Sequence, residues 1–190
     1  MAKRDNHDIF MVIFFMPFLN IEIKASCADP SFIRNYLLDH AADFKGADEQ
    51  TDTYFHVNEG RLKLREGTIE NNLIFYKRND QPGPKSSHFH LVKIEDAKGL
   101  KDALAKSCGL KMIVSKRREI YYIDNVKFHI DEVQGLGSFI EIEAGNMLAD
   151  KTEAELSDQC NFYLKEFGVT EKDLIAESYS DMLMKVKETI

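Results

Sequence analysis

The sequence predicts an α+β fold: a closed or nearly closed eight-stranded antiparallel β-barrel with helices packed outside it. Three observations predict it. Period-two alternation of apolar and polar residues recurs along the chain, with charge gathered on one face. The alternating runs are joined mostly by short turn signals, which implies hairpins and antiparallel pairing. Segments of helical spacing are interspersed among them. Eight antiparallel strands close into a barrel just wide enough for a small ligand. If the helices cover the apolar faces, the charged faces point inward.

The first strand, residues 18–26, sets the pattern: Asn20, Glu22 and Lys24 share one face, Ile21 and Ile23 the other. Asp29 and Pro30 then open a helix, carried by Phe32, Ile33, Tyr36 and Leu37 and ended by the turn signal Lys45-Gly46. Residues 52–57 and 61–66 read as a hairpin about Asn58-Glu59-Gly60, with Lys63 and Arg65 on a common face. Residues 73–77 form a strand ending in Lys77-Arg78, either of which could face inward. The run Asp80-Gln81-Pro82-Gly83-Pro84-Lys85-Ser86-Ser87 is the clearest loop in the chain, read as a long hairpin connection in preference to a lid.

Residues 88–94 return as a strand, and 96–107 are helical with Gly109 as the stop. Residues 111–123, broken or bent near Arg117, hold Lys116 and Arg118 two apart. Residues 126–133 hold His129 and Asp131, and residues 139–144 hold Glu141 and Glu143, again two apart. Thr152-x-x-Glu155 is a capping box that opens a helix running to Phe167. A last helix covers roughly residues 177–187.

The 190 residues, 44% hydrophobic, suffice for one domain with an ample core. Residues 1–15 read as an N-terminal extension and 16–190 as the domain, with Met16 as an alternative start. The apolar run 9–19 is too short to span a membrane as a helix. It resembles a signal-peptide core, but cleavage near Ala25-Ser26-Cys27 would remove Glu22 and Lys24. A net charge of -7 argues against general nucleic-acid binding. The basic residues on the strands are then a local concentration within an acidic protein, able to attract anions. Three widely spaced cysteines argue against a disulfide framework or zinc cluster and for a reducing, cytoplasmic setting. His88 and His90 could share a strand face, but no histidine pair has metal-ligand spacing.

The ordered charges resemble the CYTH family, the triphosphate tunnel metalloenzymes named for class IV adenylate cyclase and thiamine triphosphatase. Asn20-Ile21-Glu22-Ile23-Lys24 stands where that family has Glu-x-Glu-x-Lys. The likeness continues through Leu62-Lys63-Leu64-Arg65, Tyr76-Lys77-Arg78, Lys116-Arg117-Arg118, and His129-Ile130-Asp131 through Gly135-Leu136-Gly137-Ser138-Phe139-Ile140-Glu141-Ile142-Glu143, to the closing Ser178-Tyr179 segment. It implies a tunnel in which Lys24, Lys63, Arg65, Arg78, Lys116 and Arg118 bind phosphate oxygens. Glu22, Glu141 and Glu143 would hold Mg2+ or Mn2+, with Asp131 nearby; Glu22, Lys24 and Asp131 are the implied catalytic group. Arg offers bidentate forks to phosphate and Lys a compact charge.

The implied ligand is a small triphosphate such as ATP, tripolyphosphate or thiamine triphosphate, with no nucleic acid or membrane involved; a homodimer is compatible with it. Cyclisation of ATP and hydrolysis of a triphosphate are the two implied activities, with binding and little turnover as a third reading motivated by Asn20, which lacks the family's charge. The competing account is an acidic β-rich domain whose charged strand faces are merely solvated.

Overall fold

The computed structural model describes residues 18–146 and 150–188. The expected extension over residues 1–15, Met16 and most of the apolar run lie outside the described residues. Eight strands close into an antiparallel barrel in the order β1-β5-β4-β3-β2-β6-β7-β8, so the expected fold is the one observed. The strands are β1 (Phe18–Ser26), β2 (Asp43–Phe55), β3 (Arg61–Glu66), β4 (Asn72–Arg78), β5 (Lys85–Lys93), β6 (Leu110–Ile123), β7 (Val126–Val133) and β8 (Gly137–Gly145). Short connections join β2 through β5 and β6 through β8. The crossovers run through α1 (Ser31–Asp39) and α2 (Ala97–Cys108), and α3 (Glu153–Glu166) and α4 (Tyr179–Glu188) follow the barrel.

Alternation decides which way each strand faces. Ile21, Ile23 and Ala25 of β1 point outward with Phe128, Ile130, Ile140 and Ile142, and pack against Leu37 of α1 and Leu156 and Cys160 of α3. Each fully buried Leu or Ile there contributes about 1.5–3 kcal/mol. Register then stacks the polar faces inside. Glu22 lies opposite Glu143 and Lys24 opposite Glu141 between β1 and β8. Arg118 lies opposite Asp131 between β6 and β7. Paired residues send their side chains to the same side of a sheet, so these groups share the interior. Toward one end the interior turns apolar: Tyr54, Met112, Val114, Val133 and Phe139 form a cluster closed by Tyr179 of α4.

Several boundaries differ from expectation. The strand expected to start at Asp52 begins at Asp43, because Lys45-Gly46 is a bulge and not a turn. The register shifts between Phe44 and Gly46, and Gly46 takes φ 125°, open to glycine. β6 pairs continuously through Arg117 and is not broken there. β5 starts three residues earlier than expected, at Lys85, which shortens the preceding loop. Asp29 accepts from the Ser31 amide at 2.9 Å, one residue ahead of the position of Pro30 at the helix start. The capping box is present as expected.

Candidate functional site

The six cations singled out in the sequence, Lys24, Lys63, Arg65, Arg78, Lys116 and Arg118, line one cavity of about 190 Å³ inside the barrel, together with Glu22, Glu141 and Glu143. That is room for several ordered waters or a compact ligand. Of the two candidates at the end of β4, Arg78 faces in and bonds Glu22, whereas Lys77 is exposed and pairs with Glu59. Asn20 is on the same wall, as are the apolar side chains Ile74, Phe89 and Leu91.

Asp52 is the hub of the basic side. It is 1% exposed, and its carboxylate accepts from Arg65 Nε at 2.8 Å and Nη2 at 2.9 Å, from Lys63 Nζ at 3.0 Å and from Lys116 Nζ at 2.8 Å. Burial pushes its pKa up, but Arg65, Lys116 and Lys63 outweigh that and hold it well below the usual carboxylate range. Lys116 carries the cost: burial lowers its pKa to about 7 despite Asp52, with repulsion from Arg65, Arg118 and Lys63 adding to the shift. The two directions are compatible, since Arg65 and Lys63 already neutralise Asp52 and Lys116 is the surplus cation.

The acidic side is built from β7 and β8. Ligand atoms of His129, Glu141 and Glu143 lie within 4.8 Å of one another. His129 Nδ1 is 3.3 Å from Glu141 Oε2 and 3.5 Å from Glu143 Oε1, and its Nε2 is buried without a hydrogen-bond partner. Burial, then Arg118, lower the His129 pKa, which favours the neutral ring. Burial would raise Glu141, but Arg118 and Lys24 hold it well below the usual range. Two carboxylates beside an imidazole are a donor set that fits a divalent cation. Glu22, expected to join them, lies across from Glu143 in register but its carboxylate is engaged by Arg78. His129 stands in the cluster in its place.

Lys24 Nζ sits 3.3 Å from Glu141 Oε1, donates to the Glu177 carbonyl at 3.2 Å and lies 3.8 Å from the centroid of the Tyr179 ring. Asp131, expected among the catalytic group, is fully buried and does not line the cavity. It accepts from Arg118 Nε at 2.7 Å and Nη2 at 2.5 Å and from the Tyr179 hydroxyl at 2.8 Å. It therefore aims Arg118 and seats α4. His88 and His90 lie exposed on β5, away from this cavity.

Sequence reasoning missed Asp52, Glu70, Lys127 and the role of His129. Asp48-x-Gln50-x-Asp52 and Lys127-x-His129-x-Asp131 carry the same period-two signal as the residues it found. Glu70 lies in the turn between β3 and β4, where no periodicity marks it. The unliganded interior is also closer to charge balance than the sequence implied. Asp52 and Glu70 join the expected Glu22, Glu141, Glu143 and Asp131 against the six expected cations and Lys127.

Among the described residues no helix is long and apolar enough to cross a membrane. Comparison with known proteins finds a Methanocaldococcus jannaschii protein, named "Putative adenylate cyclase", 26% identical over 179 residues, covering 86% of this chain and 98% of that protein. Two solved structures share the fold: a conserved hypothetical protein from Pyrococcus furiosus, at 21% identity and TM-score 0.73 over 85% of this chain and 98% of that one, and a "putative adenylate cyclase" from Vibrio parahaemolyticus, at 18% identity and TM-score 0.72 over 87% and 98%. A "putative adenylyl cyclase" from Hippeastrum, described as having a dominant triphosphatase activity, shares the fold at 14% identity and TM-score 0.54 over 87% of this chain and 93% of its own. The model of the CYTH domain matches residues 19–179, and the chain belongs to that family.

Proposed function

We propose that the barrel interior binds a triphosphate together with a divalent cation, Mg2+ or Mn2+, and cyclises ATP to cyclic AMP and pyrophosphate. The observation that carries this reading is the convergence of Lys24, Lys63, Arg65, Arg78, Lys116 and Arg118 with Glu22, Glu141 and Glu143 on one cavity. Glu141 and Glu143, with His129 or Glu22, are the residues that would hold the cation. When bound, it supplies charge neutralisation and fixed geometry at the phosphate oxygens.

The chain's own side chains do the remaining work. Arg65, Lys63 and Lys116, fixed by Asp52, form a rigid cationic bed, so little reorganisation is needed as charge develops on departing pyrophosphate. Arg118 is aimed by Asp131, and Lys24 is held against Tyr179. Ile74, Phe89 and Leu91 give the same cavity an apolar wall that suits the organic part of a nucleotide. The matched relative named as an adenylate cyclase supports this reading. Residues 16–190 would be its single domain, in the cytoplasm.

Hydrolysis of a triphosphate is the second reading, favoured by the Hippeastrum neighbour's described activity. Phosphorus NMR of the protein with Mg2+ or Mn2+, offered ATP, tripolyphosphate and thiamine triphosphate in turn, separates the two. The proposal expects pyrophosphate and a cyclic phosphodiester from ATP. Orthophosphate from any of the three establishes hydrolysis instead. Binding without turnover, rescued by Asn20→Glu, assigns the loss to Asn20.

A further inference from the structure

Among the described residues, Glu70 is the one carboxylate that enters the cavity from a turn and not from a strand. Its Oε2 accepts from Arg65 Nη1 at 2.7 Å and from Gln50 Nε2 at 3.0 Å, and its Oε1 accepts from Lys127 Nζ. Arg65 on β3 and Lys127 on β7 stand on strands separated by β2 and β6 in the barrel order, so this side chain links non-adjacent strands. Burial opposes its charge, but Arg65, Lys127, His129 and Arg118 hold its pKa well below the usual range.

The turn that carries Glu70 is built to present it. Asp48, 0% exposed, accepts from the Thr68 amide at 2.7 Å, the Thr68 hydroxyl at 2.9 Å, the Ile69 amide at 3.1 Å and the Glu70 amide at 3.0 Å. Asp48 also accepts from Gln50 at 2.9 Å, so Asp48 and Glu70 share one amide donor. At Gly67 a Cβ would fall 2.5 Å from Asp48 Oδ2 and 2.8 Å from the Glu70 carbonyl, so this close approach needs glycine. The backbone of the turn is clamped. The carboxylate of Glu70 beyond it is largely buried among Arg65, Gln50 and Lys127.

We propose that Arg65, Lys127 and Gln50 form an anion subsite whose occupant in the unliganded protein is the Glu70 carboxylate, and that an anionic phosphate group of the ligand takes its place. The inference rests on the reading of the cavity as a triphosphate site and adds Lys127, Gln50 and Glu70 to it. A phosphate oxygen offers the same two cations and one amide the same acceptor chemistry as a carboxylate oxygen. A ligand too weakly charged to displace Glu70 gains nothing from Arg65 and Lys127. The displacement therefore selects for polyanions, and Glu70 sets the threshold.

The test is isothermal titration of inorganic tripolyphosphate, without metal and in chelator, into the wild type, Glu70→Gln, Lys127→Gln and the double variant. Gln keeps the shape and removes the charge. The proposal expects Glu70→Gln to bind tripolyphosphate about tenfold more tightly than wild type, and most of that gain to vanish in the Lys127→Gln background. If Glu70→Gln does not hold its fold, Glu70→Asp, one methylene too short to reach both cations, gives the same expected tightening.

Unchanged or weaker binding by a folded Glu70 variant overturns the inference while leaving the triphosphate reading intact. So does a gain that persists in full without Lys127, since it reflects bulk charge alone. If tripolyphosphate binds neither wild type nor variant, in chelator or with Mg2+ added, both readings fall together.

Discussion

Lys116 has a carboxylate 2.8 Å away and still titrates near neutrality, with a pKa of about 7. In the free barrel at pH 8 most Lys116 is therefore neutral, and a bound polyanion would restore its proton. Binding of tripolyphosphate is expected to take up protons at pH 8, and affinity to fall as pH rises from 7 to 9. Titration calorimetry in buffers of different ionisation enthalpy reads the uptake directly; no uptake, with affinity flat across that range, would count against this role for Lys116. Asp52 makes the complementary prediction. Asp52→Asn leaves Arg65, Lys63 and Lys116 around a neutral amide, at an expected cost of about 3–5 kcal/mol. Thermal unfolding should show that loss, and tripolyphosphate should restore part of it.

The residues legible in the sequence were those at period-two spacing within recognised strands, such as Glu22 and Lys24 or Glu141 and Glu143. Asp52 was hidden because β2 was read as beginning there, which removed Asp48 and Gln50 from the alternation. Asp131 was legible as a charge but not as a group behind Arg118, because alternation gives the face of a side chain and not its depth.

Among the elements, α3 and α4 do different work. α3 covers the outer core through Leu156 and Cys160, and its start depends on Thr152, whose hydroxyl accepts from the Glu155 amide at 3.3 Å. Thr152→Ala should cost about 1 kcal/mol and lower the melting temperature by roughly 2–4 °C, with tripolyphosphate affinity unchanged. α4 reaches the interior. Tyr179→Phe removes a donor from fully buried Asp131 and is expected to cost about 1–3 kcal/mol. It should also weaken tripolyphosphate binding, since Asp131 aims Arg118; calorimetry on the folded variant checks this.

Both helices were foreseen, but the inward reach of Tyr179 was not, because helical periodicity does not tell which neighbour a face meets. The Gly46 bulge was misread for a related reason. Lys-Gly is an ordinary turn signal, and only pairing with the neighbouring strand β6, distant in sequence, makes it a bulge.

At the scale of the molecule, a chain of net charge -7 gathers seven cations, the six singled out in the sequence and Lys127, in one cavity. Part of their charge is met by six carboxylates, so an ion-pair network serving stability alone is the alternative to a ligand site. The two differ in what a ligand does to stability. A ligand at about a hundred times its dissociation constant adds roughly 2.7 kcal/mol, which is about 5–10 °C for a chain of this size. The decisive measurement is thermal unfolding with and without millimolar tripolyphosphate, on the wild type and on Lys116→Met. The account predicts a rise of that order in the wild type and little or none in Lys116→Met. An unchanged melting temperature in the wild type would contradict it and leave the charged interior as a structural network.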